Sequence, residues 1–375
     1  MKKQITKFGW LIIAVTMMAF APKEAEAQTV ATQEPPKEGD YYQISTEEHL
    51  YWFANYVNEG HHEACAKLTA DIEVNDGSLT GKIKEDGSVK EGVTVDKWIP
   101  IGYGFDSSKN PIKFKGTFDG GNHTISGLYF CDVNKDNVGL IGSTASSAEI
   151  KDVIVNDSYF KARHQVGGVC GYNYGTISNC SNTGIVIGIG FHVGGVCGAN
   201  NENGTIENCY NTGTVSGGDH VGGVCGDNNA KGIISNCNNT GTISGIYNDS
   251  KIGGMCGTNN GTIQYKRTGL TNGSYGTICM PYGVKAGDRI GAKFYSIAGK
   301  TTDGGKVTAI YLEEVTGDLV AGQPYIFRAT AEELTCKCST DDEKDAHTVN
   351  GLVGTYEVLD VPEGENNYIL KDNKI

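Results

Sequence analysis

The chain has 375 residues, including 53 glycines, 8 prolines and 12 cysteines, and its formal net charge is −13 at pH 7. A chain this acidic, with no basic cluster, argues against a nucleic-acid partner and against adhesion to anionic membranes. Beyond the first 27 residues no stretch reaches the roughly 18 apolar residues of a membrane-spanning helix, so we predict no membrane span.

The N-terminus has the pattern of a secretory signal peptide, which we assign to residues 1–27. Early lysines precede an apolar run over residues 8–20, and Ala25 and Ala27 form an A-x-A cleavage site. We predict cleavage after Ala27 and export of the mature chain, either secreted or associated with the cell surface. A lipid-anchored export signal would need cysteine at the position of Gln28, so lipid anchoring is not expected.

Residues 28–40 are interpreted as a linker, and residues 41–62 as an N-terminal capping region with one helix. The stretch STEEHLYWFANYVNEG at 45–60 places Ser45 and Glu48 at the spacing of a capping box, and Gly60 where a helix can end. Its apolar side chains repeat on one helical face: Leu50, Phe53, Ala54 and Val57. We expect this helix to cover the open edge of the structure that follows.

Residues 63–269 are built on a repeat. The stretches QVGGVCG, HVGGVCG, HVGGVCG and KIGGMCG begin at 165, 192, 220 and 251, at intervals of 27, 28 and 31 residues. Between them recurs a motif of the type GTISNCSNTG, with isoleucine and valine in fixed columns. Such short β segments bury a core only when the copies stack. We therefore predict an all-β chain with a right-handed parallel β-solenoid, or β-helix, that rises about 4.8 Å per coil.

Cysteine and asparagine recur with the repeat. The cysteine columns are Cys170, Cys197, Cys225 and Cys256, and Cys180, Cys209 and Cys237. A cysteine that recurs in this way is typical of a packing position, which favours buried thiols; disulfides between neighbouring coils are the alternative for an exported chain. The asparagine columns, Asn179, Asn208 and Asn236, and Asn182, Asn211 and Asn239, predict left-handed turns and amide hydrogen bonds between coils.

The repeat fades after residue 265, and residues 271–276 are interpreted as a linker. Short β segments separated by turn signals follow, which predicts a C-terminal β-sandwich over residues 270–375. The sequence ends with YILKDNKI at 368–375, just after an apparent strand. An incomplete sandwich, without its final strand, is therefore one expectation.

With these repeats the chain resembles the GLUG-motif family of bacterial surface proteins, whose hallmark is V-G-G-[LV]-[VC]-G. The resemblance covers roughly residues 41–265 and includes LTADIEV, WIPIG and GTFDGGNHTISGL. It implies an exported β-solenoid module of an adhesin type known from gut or oral Bacteroidetes. Some relatives of the motif lie within immunoglobulin-A1-specific zinc peptidases, which need H-E-x-x-H. The nearest string here is HEACA at 62–66, where Ala66 replaces the second histidine, so we expect no peptidase.

Aromatic residues in or near the turns after each VGG copy are the candidate binding residues. These turns, predicted at 172–174, 199–203, 227–231 and 258–260, change length while the rest of the repeat does not. Rings in such turns can stack on sugars or anchor a protein partner. The candidate ligand-contacting residues are Tyr172, Tyr174, Phe191, Tyr210 and Tyr247.

Other candidate sites are weaker. His192 and His220 precede VGG copies and are expected to stack, but a metal needs three or four ligands, so we interpret this column as a polar track. Cys336 and Cys338 lie on one face of a predicted strand and are interpreted as packing thiols. Acids in the repeats share no column, which argues against the paired carboxylates of a glycosidase: Asp152, Asp157, Glu202, Glu207, Asp219, Asp227 and Asp249.

These observations predict an exported, monomeric, non-catalytic surface or adhesion protein without cofactor or metal. Its expected partner is a host or dietary glycan, or an extracellular protein, bound through the turns of the solenoid. Two alternatives remain from other classes: a carbohydrate-active enzyme on a β-helix, either a polysaccharide lyase or a glycosidase, and a structural spacer.

Overall fold

The computed structural model describes residues 31–75, 77–247, 250–267, 270–272, 275–279, 283–303, 306–320 and 324–338. The predicted signal peptide, Asp249 and the strand expected at 368–375 lie outside these residues. Within them the chain is almost entirely β, with two short α-helices and one 3-10 turn, Ala286–Asp288. No helix in these ranges is both long and apolar enough to cross a membrane.

Eight coils stack through parallel strands, as the sequence predicts. Each coil gives one strand to the first face of the solenoid: Tyr41–Ile44, Cys65–Leu68, Thr117–Asp119, Glu149–Lys151, Thr176–Ser178, Thr205–Glu207, Ile233–Ser235 and Thr262–Arg267. In the later coils the register places Ile150, Ile177, Ile206, Ile234 and Ile263 above one another. All five are buried, so the predicted isoleucine column is confirmed.

Three further faces complete the coils. The second face consists of Ile72–Glu73, Thr124–Ser126, Ile154–Asn156, Ser181–Asn182, Tyr210–Asn211 and Asn238–Asn239. The third consists of Tyr129–Cys131, Tyr159–Ala162, Ile185–Gly194, Thr214–Gly222 and Thr242–Gly245, with Asp136–Val138, His164–Gly167 and Ile252–Gly253 beside them. The fourth consists of Ile141–Ser143, Cys170–Asn173, Cys197–Asn200, Cys225–Asn228 and Cys256–Asn259.

The VGGVCG motif forms a corner between two faces. In the copy at 193–198, Val193 and Gly194 end a third-face strand, the next two residues bend, and Cys197 begins a fourth-face strand. A side chain at Gly195 would collide with the Asn211 amide and with a backbone carbonyl of the next coil. The second glycine of the motif is therefore required by close packing between coils.

The N-terminal end is closed by a helix and an antiparallel strand. The helix spans Glu47–Asn58 and is here called the cap helix; a second, short helix spans Leu79–Lys82. Thr46, and not the expected Ser45, is the N-cap, because its hydroxyl accepts a hydrogen bond from the His49 N–H at 3.3 Å. The strand Lys37–Glu38, inside the predicted linker, pairs antiparallel with Tyr41–Ile44 and covers the edge of the first face.

The C-terminal domain is antiparallel and contacts the last coil. Its four-stranded sheet has the order Tyr275–Cys279, Pro324–Ala329, Ala292–Asp303, Lys306–Glu314. Two further strands, Leu334–Cys338 and Arg289–Ile290, extend the first face, and Leu334–Cys338 pairs antiparallel with Thr262–Arg267. The predicted linker is thus shorter than expected, since Tyr275 already lies in a strand. Both ends of the first face are covered by antiparallel strands.

Candidate functional site

The cysteine columns lie in the core of the coils. Cys170, Cys197, Cys225 and Cys256 are in register on the fourth face, and all four are buried. The structure has these cysteines, and those of the second column, as free thiols. Burial raises the pKa of the Cys197 thiol well above its usual range, so the group stays protonated and unreactive. The columns are packing positions in this structure.

Asparagine amides form ladders along the solenoid. The predicted second-face ladder is present: Asn182 donates to Asn211 at 2.9 Å, and Asn211 to Asn239 at 2.8 Å. The other predicted column, Asn179, Asn208 and Asn236, adopts left-handed backbone conformations with φ of 53°, 52° and 53°. Sequence reasoning missed a third, buried ladder, Asn173, Asn200, Asn228 and Asn259, with donor–acceptor distances of 2.8, 2.8 and 2.7 Å. The recurring string Cys-Gly-x-Asn was the available signal.

The residues that precede the VGG copies form a polar column along one corner, here called the corner column: Gln165, His192, His220 and Lys251. The His192 and His220 rings stack at a centroid distance of 5.2 Å, as predicted. Lys251 Nζ lies 3.0 Å from His220 Nε2, and Gln165 Nε2 lies 3.4 Å from His192 Nδ1. The backbone of Gln165, His192 and His220 is left-handed, with φ of 50°, 61° and 51°.

Two acids that share no column in the sequence meet at the corner column. Asp227 Oδ2 lies 3.6 Å from His192 Nε2, and Asp219 Oδ2 lies 3.5 Å from His220 Nε2. Burial raises the pKa of Asp227 and lowers that of His192. Partial burial opposes the shift at Asp219, but backbone N–H groups of Lys251 and His220 hold its pKa below the usual range. Across the described ranges, no three His, Cys, Asp or Glu side chains are grouped to hold a metal ion.

Two of the candidate aromatic residues form a half-buried pair. The rings of Tyr172 and Tyr174 meet edge to face at 5.2 Å, and Lys113 Nζ lies 3.9 Å from the centroid of the Tyr174 ring. Burial and a hydrogen bond with Tyr172 raise the pKa of Tyr174 to about 12. Tyr172 lies in the strand Cys170–Asn173, which corrects its predicted place in a turn.

The strands of the fourth face continue into each predicted turn. The turns occupy 174–175, 201–204, 229–232 and 260–261, because a strand ends at the ladder asparagine that precedes each turn. Tyr210 is 45% exposed and lies in the strand Tyr210–Asn211 on the second face, away from these turns. The five candidate residues are therefore not brought together in one site.

Phe191 and Tyr247 belong to an exposed apolar surface on the third face and just after its strand Thr242–Gly245, here called the flank patch: Ile189, Phe191, Ile246 and Tyr247. Their exposed fractions are 37%, 50%, 47% and 57%. Phe191 stacks on His164 with a centroid distance of 4.6 Å and an interplanar angle of 7°. The Tyr247 hydroxyl donates to the Ile189 carbonyl at 3.4 Å, which joins two coils that are not adjacent. Phe191 lies in the long strand Ile185–Gly194, so its backbone is held in the sheet.

A cavity that sequence reasoning missed lies at the end of the cap helix and is here called the cap cavity. Its volume is about 440 Å³, and its lining includes Lys37, Tyr42, Tyr56, His61, Glu63 and Lys115. Tyr56 is sandwiched between Trp52, at a centroid distance of 4.6 Å, and His61, at 3.7 Å. The available signal was the spacing of Trp52 and Tyr56, which lie four residues apart on the helix face opposite the apolar one.

The string HEACA at 62–66 borders this cavity and does not form a helix. Residues 62–63 lie in a turn, and Cys65 and Ala66 begin the strand Cys65–Leu68. Zinc peptidases need their two histidines one helical turn apart. These residues therefore do not present the geometry of a zinc-peptidase motif.

Comparisons with known proteins match the repeats. The family model described as "The GLUG motif" matches residues 162–187 and 189–216. "Halomucin" of Haloquadratum walsbyi is 29% identical over 48% of this chain, and the "Putative Gly-rich membrane protein" of Evansella cellulosilytica is 29% identical over 47%. The matched regions amount to 2% and 18% of these two relatives' lengths.

One solved structure shows a weak similarity to this chain. It is titled "Crystal structure of a putative immunoglobulin A1 protease from Bacteroides ovatus" and is 19% identical, over 57% of this chain and 70% of that chain, with a TM-score of 0.37. A TM-score this low carries nothing over to this chain. The two adjacent matches to the family model coincide with two coils of the solenoid, so these coils carry GLUG-motif repeats.

Proposed function

We propose that this chain is an exported, non-catalytic surface protein that binds an extracellular glycan or protein through the flank of its solenoid. The observation that supports this proposal is the flank patch, four apolar side chains exposed between 37% and 57% on a framework of paired strands. Apolar side chains exposed together on a soluble framework mark interaction sites. The rings of Phe191 and Tyr247 can stack on a sugar or enter a pocket of a protein partner.

Location and assembly follow from other features. The signal-peptide pattern and the likeness to a protein described as a Gly-rich membrane protein support a place at the cell surface or outside the cell. Antiparallel strands cover both described ends of the first face, which supports a monomer because an open edge would pair with another chain. An adhesin role for a host or dietary ligand is part of the same proposal.

A binding screen with a matched pair of variants tests the proposal. Residues 28–375 would be applied to an array of glycans and extracellular-matrix proteins, beside the double variant Phe191→Ser, Tyr247→Ser. The control is Phe105→Ser, which removes a ring that is 70% exposed but lies in an early loop. We expect a ligand whose binding the double variant weakens by about tenfold or more and the control leaves unchanged.

Other outcomes would contradict parts of the proposal. A ligand that binds the double variant as tightly as the native chain would place the binding surface elsewhere on the chain. Release of shortened oligosaccharides during the screen would favour the carbohydrate-active enzyme instead. The corner column would then be examined first, because it pairs Asp227 with His192 at 3.6 Å. Absence of any ligand would favour the structural spacer.

A further inference from the structure

The cap cavity has the size and position of a small-molecule site. Its volume of about 440 Å³ falls within the roughly 300–1,000 Å³ of typical ligand pockets. It lies where the cap helix ends and the chain turns toward the strand Cys65–Leu68 of the second coil. Because the cavity is at the N-terminal end of the solenoid, it does not overlap the flank patch on the later coils.

The turn after the cap helix builds the aromatic wall of the cavity. The helix ends at Asn58, and Gly60 adopts φ of 121°, a conformation that other residues rarely reach. The chain then reverses, so that the His61 N–H donates to the Tyr56 carbonyl at 3.3 Å. This backbone bond lays the His61 ring parallel to Tyr56, with an interplanar angle of 7°.

The rings are held in place before any ligand arrives. Trp52 packs on the other side of Tyr56 at an interplanar angle of 16°, and Tyr42 meets Tyr56 edge to face at 5.5 Å. A hydrogen bond with Tyr56 raises the pKa of Tyr42 to about 12, so the Tyr42 hydroxyl stays protonated. A ligand that packs on these rings therefore does not have to order them, which lowers that part of the entropic cost of binding.

Hydrogen-bond donors and acceptors both surround these rings. Lys37 and Lys115 supply ammonium donors, and Lys37 Nζ lies 4.9 Å from the centroid of the Tyr42 ring. Glu63 supplies an acceptor, and its carboxylate lies 3.9 Å from Lys115 Nζ. All three are solvent-accessible, so they can turn toward a ligand without losing a buried bond.

The charges around the cavity are close to balanced. In the lining Lys115 pairs with Glu63. Outside the lining, Glu34 and Asp106 act electrostatically on the lining residues Tyr42 and His62. A site selective for an anion needs a surplus of positive charge. This balance favours a neutral ligand whose groups both donate and accept hydrogen bonds.

We propose that the cap cavity binds a neutral pyranose unit of a glycan. Sugar hydroxyls donate to Glu63 and accept from Lys115 and Lys37. Trp52 and His61 already cover the two faces of Tyr56, so the C–H face of the sugar packs on the outer face of the exposed His61 ring. An aromatic or aliphatic peptide would leave these charged groups without partners, and an acidic sugar would meet Glu63. The inference rests on the proposed function, that the chain binds an extracellular ligand, and names the ligand class for a second surface.

Titration with soluble oligosaccharides tests the inference. The probes are the neutral hexasaccharides cellohexaose, mannohexaose and laminarihexaose, with oligogalacturonate as the acidic comparison. The variants are His61→Ala and Lys115→Ala, two accessible side chains whose loss leaves the buried core unchanged. The control is Lys135→Ala, an exposed lysine in an early loop, and the flank-patch double variant is titrated in parallel.

We expect at least one neutral hexasaccharide to bind, and each cap-cavity variant to raise its Kd by about tenfold or more. The Lys135→Ala control should leave that Kd unchanged. Binding that only the flank-patch variant weakens would overturn this inference and leave the proposed function standing. Binding of the acidic probe alone, or of no probe, would also overturn it, and a matrix-protein ligand found in the array would still support the proposed function.

Discussion

The first coils and the repeated coils fill their cores with different side chains. Up to residue 162 the fully buried residues include Trp98, Phe114, Phe118 and Phe160, and the cap helix adds Phe53. From residue 162 to 267 the buried columns consist mainly of valine, isoleucine and cysteine. The early coils are irregular, whereas the repeated coils copy one another position by position.

This difference shows where the chain can carry binding chemistry. In the repeated coils every core position stacks on two neighbours, and even a methyl group at Gly195 would meet the amide of Asn211. A change there must be matched in the coils on each side. Among the described residues no further coil stacks outside the first one at the N-terminal end, so large rings and a cavity are accommodated there. Ligand-binding residues are therefore expected at the end of the repeated region, or among side chains that point outward from the coils.

The largest expected difference in stability between the early coils and the repeated coils comes from truncating a buried side chain. Phe118 and Cys197 are both fully buried, one in an early coil and the other in a repeated coil. We expect Phe118→Ala to lower the free energy of unfolding by about 3–5 kcal/mol, because it leaves a large cavity. Cys197→Ala should lower the free energy of unfolding by about 1–2 kcal/mol, because it removes only one sulfur atom from the core.

Chemical denaturation of both variants measures these losses. Equal losses of unfolding free energy in the two variants would contradict the distinction between the aromatic core of the early coils and the valine, isoleucine and cysteine core of the repeated coils. A thiol count on denatured, unreduced protein accompanies the measurement, since the loss at Cys197 is assigned to packing. Finding no free thiols would show that the cysteine columns are cross-linked and would contradict the packing interpretation.

Much of the repeated region could be predicted from the sequence, because one coil repeats the constraints of the next. The columns of Ile177 and Cys197 were visible as periodic positions, and periodicity alone indicates stacking. The contact of Asp227 with His192 was not visible, because it joins residues 35 positions apart in different coils and Asp227 does not recur in the repeat. The cap cavity was missed for the same reason: Lys115 reaches it from a distant segment.

The C-terminal domain shows the same limit on prediction from sequence, which is that contacts between distant segments leave no local pattern. The strand signals after residue 270 predicted antiparallel structure, but no local pattern indicates that Leu334–Cys338 returns to pair with Thr262–Arg267. Such a pairing depends on a long-range contact that closes an open edge. Local propensity determines that a strand forms, and its partner is determined by which edge remains uncovered.

The next effect concerns hydrogen bonds that cross the repeated coils. Asn200 accepts from Asn173 and donates to Asn228 and to the Gly204 carbonyl, all within buried surroundings. Asn200→Ala leaves buried polar partners unpaired on both sides, so we expect a loss of about 2–3 kcal/mol in the free energy of unfolding. Thermal or urea denaturation measures it.

An exposed asparagine of the same region provides the control. Asn238 lies in the strand Asn238–Asn239 with an exposed side chain, so Asn238→Ala should change stability by no more than about 0.5 kcal/mol. A loss at Asn200 as small as that at Asn238 would mean that the ladder is replaceable by water. The constraint attributed to the repeated coils would then rest on their apolar columns alone.

The smallest effect lies on the corner column and depends on pH. Burial raises the pKa of Asp227 in the folded chain, whereas the unfolded chain has the usual value of about 3.9. Between these two values the folded state keeps a proton that the unfolded state has lost. The free energy of unfolding therefore falls as pH rises through this window and stays lower above it. His192, His220 and Lys251 oppose the shift through their charges without reversing it.

Asp227→Asn removes the ionisation, so we expect the variant to be more stable than the native chain at pH 8, by less than the loss at Asn200. This gain should shrink as the pH approaches 4. Asp219→Asn is the matched control with the opposite sign, because backbone N–H groups lower the pKa of Asp219. It should destabilise at pH 8, and its loss should persist to about pH 4 and fade only below the unfolded pKa of about 3.9. Denaturation curves from about pH 2 to 8 measure both. A loss of stability for Asp227→Asn at pH 8 that fades toward acid would mean that this carboxylate is stabilised by the corner column, and that such a column can hold a charge in the repeated coils at no cost.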